Sequence, residues 1–148
     1  MLFAGALSLC VVVAALAVVR HVLSVVTVTG SSMEPAFQDG DRLLVRRRIR
    51  HPRRGEIVVF TTPRAYREEL GVPLLAKRIT AVPGDPIPAD QPPETEPARS
   101  PALIPVRRFL VRSDNPAGFD SRHFGFVPAN AIVGTVVRRL SSRSGQPR

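Results

Sequence analysis

The sequence predicts a mainly β, all-β-type domain standing behind one apolar N-terminal segment. Three observations predict it. Fifteen prolines and ten glycines in 148 residues punctuate the chain too often for a helical bundle. Between them lie short runs rich in Val, Ile and Leu, bounded by turn residues, which is the pattern of strands. The longest unbroken apolar run is confined to the N-terminus. A chain of this length holds one domain with a real core and is too short for two.

Residues Leu2 to Val19 are apolar except Ser8, with no charge before Arg20. As a helix they would rise roughly 27 Å, just enough for a bilayer core of about 30 Å. A cleavable signal peptide would carry a basic stretch ahead of the apolar run, and none is present, although Ala15-Leu16-Ala17 mimics a cleavage site. A buried core helix of such uniform apolarity would be unusual. A transmembrane anchor over residues 1–23 is the favoured reading. The arginines that follow it would, by the positive-inside rule, keep the next domain on the cytoplasmic side.

The domain proper is expected over residues 24–140, with residues 141–148 a frayed tail. Val25 to Val28 is a first strand, ended by Thr29-Gly30-Ser31-Ser32-Met33-Glu34-Pro35, a corner that presents serine hydroxyls. Asp39-Gly40-Asp41 is a turn and Arg42 to Val45 a strand. Arg46, Arg47, Arg48, Arg50, Arg53 and Arg54 then form a basic stretch broken by Pro52. That stretch reads as a solvated loop, or as a surface facing anionic lipid. Ile57-Val58-Val59-Phe60 is apolar throughout and expected to be buried on both faces. Thr61 to Pro73 reads as a loop with a helical turn near Tyr66. In Leu74 to Val82, alternation sets Leu75, Lys77 and Ile79 on one face and Ala76, Arg78 and Thr80 on the other. Residues 86–105 hold seven prolines and read as a surface loop outside the core. Arg107 to Arg112 and Ala131 to Val137 complete about six strands, and no further helix is expected.

The formal net charge is +9, almost all from arginine, and aromatic residues are 5% of the chain. So few aromatics give little to stack on bases, so nucleic acid is not expected as a partner. The lone cysteine, Cys10, allows no intramolecular disulfide, and three scattered histidines give no metal-ligand spacing, so no metal is expected.

Lys77 is the only lysine. Arginine keeps its proton near neutral pH, whereas a lysine buried on an apolar face is desolvated and can become a neutral amine. A serine hydroxyl needs such a base to become a nucleophile. Two arrangements are open on the residues alone. One is a Ser-Lys dyad of Ser32 and Lys77. The other is a triad using His123 with Asp114 or Asp120, since His21 lies beside the anchor and His51 in the basic loop.

Four stretches in order carry a resemblance. Gly30-Ser31-Ser32-Met33-Glu34-Pro35, Gly55 to Phe60, Lys77 to Asp85, and Ser113-Asp114-Asn115 through Asp120-Ser121-Arg122 resemble the successive boxes of type I signal peptidases. The resemblance implies a signal-peptidase-like all-β catalytic domain behind a membrane anchor. It implies an endopeptidase of the Ser-Lys type that needs no cofactor. Its substrates would be preproteins bearing signal peptides, cleaved on the outer side of the cell membrane, which conflicts with the charge bias. By the same resemblance Ser32 is the nucleophile and Lys77 the general base, while Asp120 and Arg122 form a salt bridge near the site. Val26, Val28, Met33, Leu75 and Ile79 would line the substrate path, with Gly30 and Ser31 beside the oxyanion.

Three departures stand out. Gly30 offers no side-chain donor, leaving the oxyanion to the Ser32 N–H and another donor. The last box is one residue short, and Gly118 or the gap replaces a serine expected to bond the lysine, for which Ser121 is a candidate substitute. Ala36 stands in place of a threonine. Two alternatives accompany this reading: a maturation protease of the same family dedicated to one precursor, or an inactive, membrane-bound basic interaction module.

Overall fold

The computed structural model describes residues 10, 13, 19–47, 51–91 and 103–141. Most of the apolar segment 1–23, and all of the tail beyond Ser141, lies outside the described residues. Residues 19–22 are helical and exposed, and no helix among the described residues is long and apolar enough to cross a membrane.

Seven strands follow: β1 (Leu23–Thr27), β2 (Arg42–Arg47), β3 (Ile57–Thr61), β4 (Leu74–Ala81), β5 (Arg108–Arg112), β6 (Val127–Pro128) and β7 (Ile132–Ser141). They form one antiparallel sheet in the order β1-β2-β7-β3-β4-β5-β6. The domain is mainly β, as its turn-rich composition predicts. β7 is the seam. Its Gly134 is opposite Arg47 on one side and Val59 on the other, and Thr135 likewise joins Arg46 to Val58. Only glycine fits there, because a Cβ would sit 2.4 Å from the Arg46 carbonyl oxygen.

The sheet is buried on both faces around β3, whose Val58, Val59 and Phe60 are fully buried. Burying each such side chain stabilises the fold by roughly 1.5–3 kcal/mol. On one face Phe60, Ile79, Phe109, Val111 and Val127 pack together. On the other, Val28, Leu43, Val45 and Val59 pack with Val26, Leu74 and Ala76. That second cluster joins residues of β1 to residues of β4, which are far apart in strand order. The sheet therefore curls, and this brings the end of β1 over the start of β4.

Two expectations are corrected. The helical turn expected near Tyr66 is present, as a 3₁₀ turn at Arg64–Tyr66 and a one-turn helix at Arg67–Leu70, but a one-turn helix at Ser121–Phe124 and a 3₁₀ turn at Ala129–Ala131 were not expected. Each is a single turn fixed by a cap or a tight loop, too brief to leave a helical periodicity in the sequence. The ends of the proline-rich stretch 86–105 belong to the fold. Pro86 bridges Leu103, and Ile104 is buried with Ala81 and Leu110. Gln91 is buried, its Nε2 donating to the Ser121 carbonyl. Prolines thus stand beside docked ends of the stretch, where Ile87 and Ile104 pack against Ala81 and Leu110.

Candidate active site

The corner after β1 is a closed loop. The Val28 N–H donates to the Asp41 carbonyl (2.8 Å) and the Gly40 N–H to the Val28 carbonyl (2.9 Å). Gly30 has φ +84°, a conformation costing an L-residue roughly 1–2 kcal/mol. Its N–H donates to Asp39 Oδ1 at 2.8 Å, so that group is already committed. The turn continues with the Glu34 N–H donating to the Ser31 carbonyl (3.1 Å) and the Phe37 N–H to the Met33 carbonyl (2.9 Å). Met33 is 1% exposed and pins the corner inward. From across the sheet, the Asn115 N–H donates to the Ser32 carbonyl (3.1 Å) and Asn115 Nδ2 to the Ser31 carbonyl (3.3 Å). The Ser32 N–H donates no hydrogen bond among the described residues, which leaves it available to an incoming oxygen.

Lys77 enters from β4, opposite Val58 of β3. Its alternation with Arg78 turns it inward, where it is 1% exposed. Nζ lies 2.6 Å from Ser32 Oγ, its single hydrogen bond among the described residues. Desolvation lowers the amine to about 8, against the opposing pull of Asp120 and then Asp114. Arg78 faces the other way. Its guanidinium holds both Asp114 oxygens (2.8 and 2.6 Å) and donates to the Gly55 carbonyl.

Asp120 is fully buried and caps the one-turn helix that follows it. Arg122 grips it through Nε (3.0 Å) and Nη2 (2.9 Å), and the Ser113 N–H donates to Oδ2 (2.9 Å). Burial alone would raise this carboxyl, but the hydrogen bonds from Arg122 and the neighbouring N–H groups outweigh it and hold the carboxyl below its ordinary value. The geometry is a bidentate fork in which both oxygens are filled.

A cleft of about 180 Å³ runs from β1 to β4 beside Ser32, lined by Val26, Val28, Met33, Leu43, Leu74 and Leu75 among others. Over Leu74–Lys77, β4 pairs with β3 alone, because β5 joins it only from Arg78 onward. Backbone groups on that edge face the cleft without a strand partner.

Not every predicted residue reaches the site. Ile79 is buried in the core with Val58, Phe109 and Val127 rather than lining the cleft. Ser121 Oγ accepts from the Val111 N–H (2.9 Å) and makes no hydrogen bond to Lys77 among the described residues. The side chain of Ser31 is exposed; only its carbonyl takes part, as a clamp point. His123 is not gathered to Ser32. Its Nδ1 accepts from the Asp120 N–H (3.2 Å) and its ring stacks on Phe119 at 4.7 Å, which is the work of a cap. Asp39 and Asn115 were not singled out for the site by sequence reasoning, and Asp114 only as a partner for His123, whereas it is held by Arg78. Asp114 and Asn115 lie within the fourth box, and a carboxylate nine residues after a corner glycine gives no periodic signal.

Residues 3–92 match the family model described as signal peptidase, peptidase S26. The chain is 33% identical over 134 residues to a probable signal peptidase I-2 of Synechocystis sp., covering 76% of this chain and 61% of that protein. It is 31% identical over 151 residues to a signal peptidase I of Leptolyngbya laminosa, covering 87% of this chain and 74% of that one. Mitochondrial inner membrane protease subunit 2 of Schizosaccharomyces pombe is 31% identical over 138 residues, covering 86% and 71%. The chain thus spans less than two thirds of the length of the Synechocystis protein. A solved signal peptidase I of Enterococcus faecalis V583 aligns with TM-score 0.40 and 21% identity, over 60% of this chain and 98% of that chain.

Proposed function

This chain belongs to the signal peptidase family, peptidase S26, and from that premise we propose that it is a serine endopeptidase with Ser32 as nucleophile and Lys77 as general base. The observation that carries the proposal is the 2.6 Å contact between Nζ and Oγ in a buried setting. With the amine lowered to about 8, roughly one lysine in ten is neutral at pH 7. The neutral amine takes the Ser32 proton as Oγ attacks the scissile carbonyl. The Ser32 N–H faces the developing oxyanion. The ammonium then returns its proton to the leaving amine, which departs and leaves an ester on Ser32. Water, deprotonated by the same lysine, cleaves the ester and restores the hydroxyl.

The substrates proposed are preproteins cleaved after their signal peptides. An extended segment adding to the free Leu74–Lys77 edge would be held by main-chain bonds. Val26, Val28, Met33 and Leu75 would offer shallow apolar ground to small side chains. Asp120 and Arg122 are structural supports beneath Lys77, and the mechanism needs no cofactor. Residues 1–23 are proposed as a single membrane anchor with the catalytic domain outside the cell membrane; a relative named as an inner membrane protease supports a membrane setting.

The test is cleavage of signal-peptide-bearing precursors by the wild type, Ser32→Ala, Lys77→Ala and His123→Ala. The first two substitutions should abolish turnover and the third should spare it. Activity in Lys77→Ala, or its loss in His123→Ala with the fold intact, would overturn the dyad. Cleavage of one precursor out of a broad panel would favour a dedicated maturation protease.

A further inference from the structure

Lys77 is short of partners. An ammonium has three N–H donors, and in this almost fully buried position Nζ uses one among the described residues, toward Ser32. A buried donor without an acceptor is costly. The neighbouring carboxylates are occupied: Asp114 by Arg78, and Asp120 by Arg122 and two N–H groups.

The register of β4 and β5 points to a further group. Arg78 is opposite Arg112 and Ile79 opposite Val111; continued by one residue, Lys77 is opposite Ser113. Directly opposed residues of antiparallel strands project from the same face, with Cβ atoms about 4.5–5.5 Å apart. Ser113 Oγ is weakly held, donating to the Phe119 carbonyl at 3.4 Å. Its side chain fills the space beside Gly118, where an added Cβ would come within 2.3 Å of Oγ and 2.4 Å of the Ser113 Cβ. Its backbone is fixed by the Asp120 carboxylate. The hydroxyl thus stands on an anchored backbone, one rotamer step from another direction.

We propose that Ser113 is a positioning residue for Lys77, its hydroxyl accepting a hydrogen bond from Nζ and holding the amine against Ser32. The proposal rests on the dyad reading. It also explains why residue 118 is glycine: the hydroxyl comes from the strand end and occupies the volume that a side chain from the loop would need.

The experiment measures kcat and KM for a precursor peptide against pH, using the full-length protein in detergent. The variants are Ser113→Ala, Gly118→Ser, the exchange Ser113→Gly with Gly118→Ser, and Lys77→Met as reference. Ser113→Ala should lower kcat about tenfold with KM unchanged. It should also move the midpoint of the kcat profile downward, since a lost acceptor favours the neutral amine. Gly118→Ser alone should be impaired by collision, and the exchange should recover most of the lost kcat by returning a hydroxyl to the same volume. A wild-type kcat and midpoint in Ser113→Ala would overturn the proposal, as would a loss that the exchange does not repair. If Lys77→Met is inactive while Ser113→Ala matches the wild type, only the Ser113 role fails. If Lys77→Met is active, the dyad itself fails.

Discussion

Replacing Lys77 with methionine should make this protein more stable at neutral pH while abolishing its activity. The lysine is lowered from 10.5 to about 8 in the fold, which corresponds to a cost of about 3 kcal/mol for holding it protonated there. Below pH 8 it is protonated in both the folded and the unfolded chain, so the cost is present in full. Between pH 8 and 10.5 the unfolded chain keeps a proton that the folded chain has shed, and wild-type stability rises. Methionine is similar in length, carries no charge and suits the apolar wall of Val58 and its neighbours. It forfeits the bond to Ser32 Oγ, worth about 1 kcal/mol. The balance is a gain of about 2 kcal/mol at pH 7, or about 4–8 °C in Tm for a chain of this size. Urea unfolding followed by far-UV circular dichroism suits a chain without tryptophan, with wild type and variant compared at pH 7, 8, 9 and 10.5. The difference should shrink steadily over that range and reverse at its top. A Lys77→Met protein no more stable than wild type at pH 7, or a difference indifferent to pH, would refute the claim that desolvation governs this side chain.

Two further outcomes follow from the same geometry. The rate kcat/KM for a precursor peptide should climb about tenfold per pH unit below pH 8 and level off above it, because only the neutral amine accepts the Ser32 proton; a plateau already reached at pH 6.5 would exclude Lys77 as the base. Gly134→Ala should cost about 1–3 kcal/mol, since its Cβ would meet the Arg46 carbonyl at 2.4 Å and Val45 Cγ1 at 2.8 Å; an unchanged thermal midpoint would mean that the β2–β7 seam yields more easily than its backbone contact implies.

Much of the strand pattern is legible in the sequence because alternation fixes which side chains share a face. It sets Lys77 apart from Arg78, and the unbroken run Val58-Val59-Phe60 announces burial on both sides. What alternation leaves open is what lies over each face. Leu75 and Ile79 share one, yet the first borders the cleft and the second is sealed among Phe60, Phe109 and Val127. The meeting of Ser32 with Lys77 depends on the curl of the sheet, which is a sum of twists and bulges with no local signature. His123 offered the common chemistry of a base, but a capping box is written in the same residue types, and only the bond from the Asp120 N–H separates the two. Ile104 was hidden by the prolines around it.

The order of strands has a consequence for how the enzyme comes into being. Ser32 belongs to the half of the sheet made by β1 and β2, and Lys77 to the half made by β3 to β6. β7 is the last strand in sequence, yet it lies between the two halves and is hydrogen-bonded to both. During synthesis both halves of the sheet therefore exist before the strand that is hydrogen-bonded to each of them. Long-range pairing of this kind must wait for the residues that complete it. A chain stalled before Ile132 would carry Ser32 and Lys77 but not the strand that joins their halves of the sheet, and the proposed dyad would lack that support.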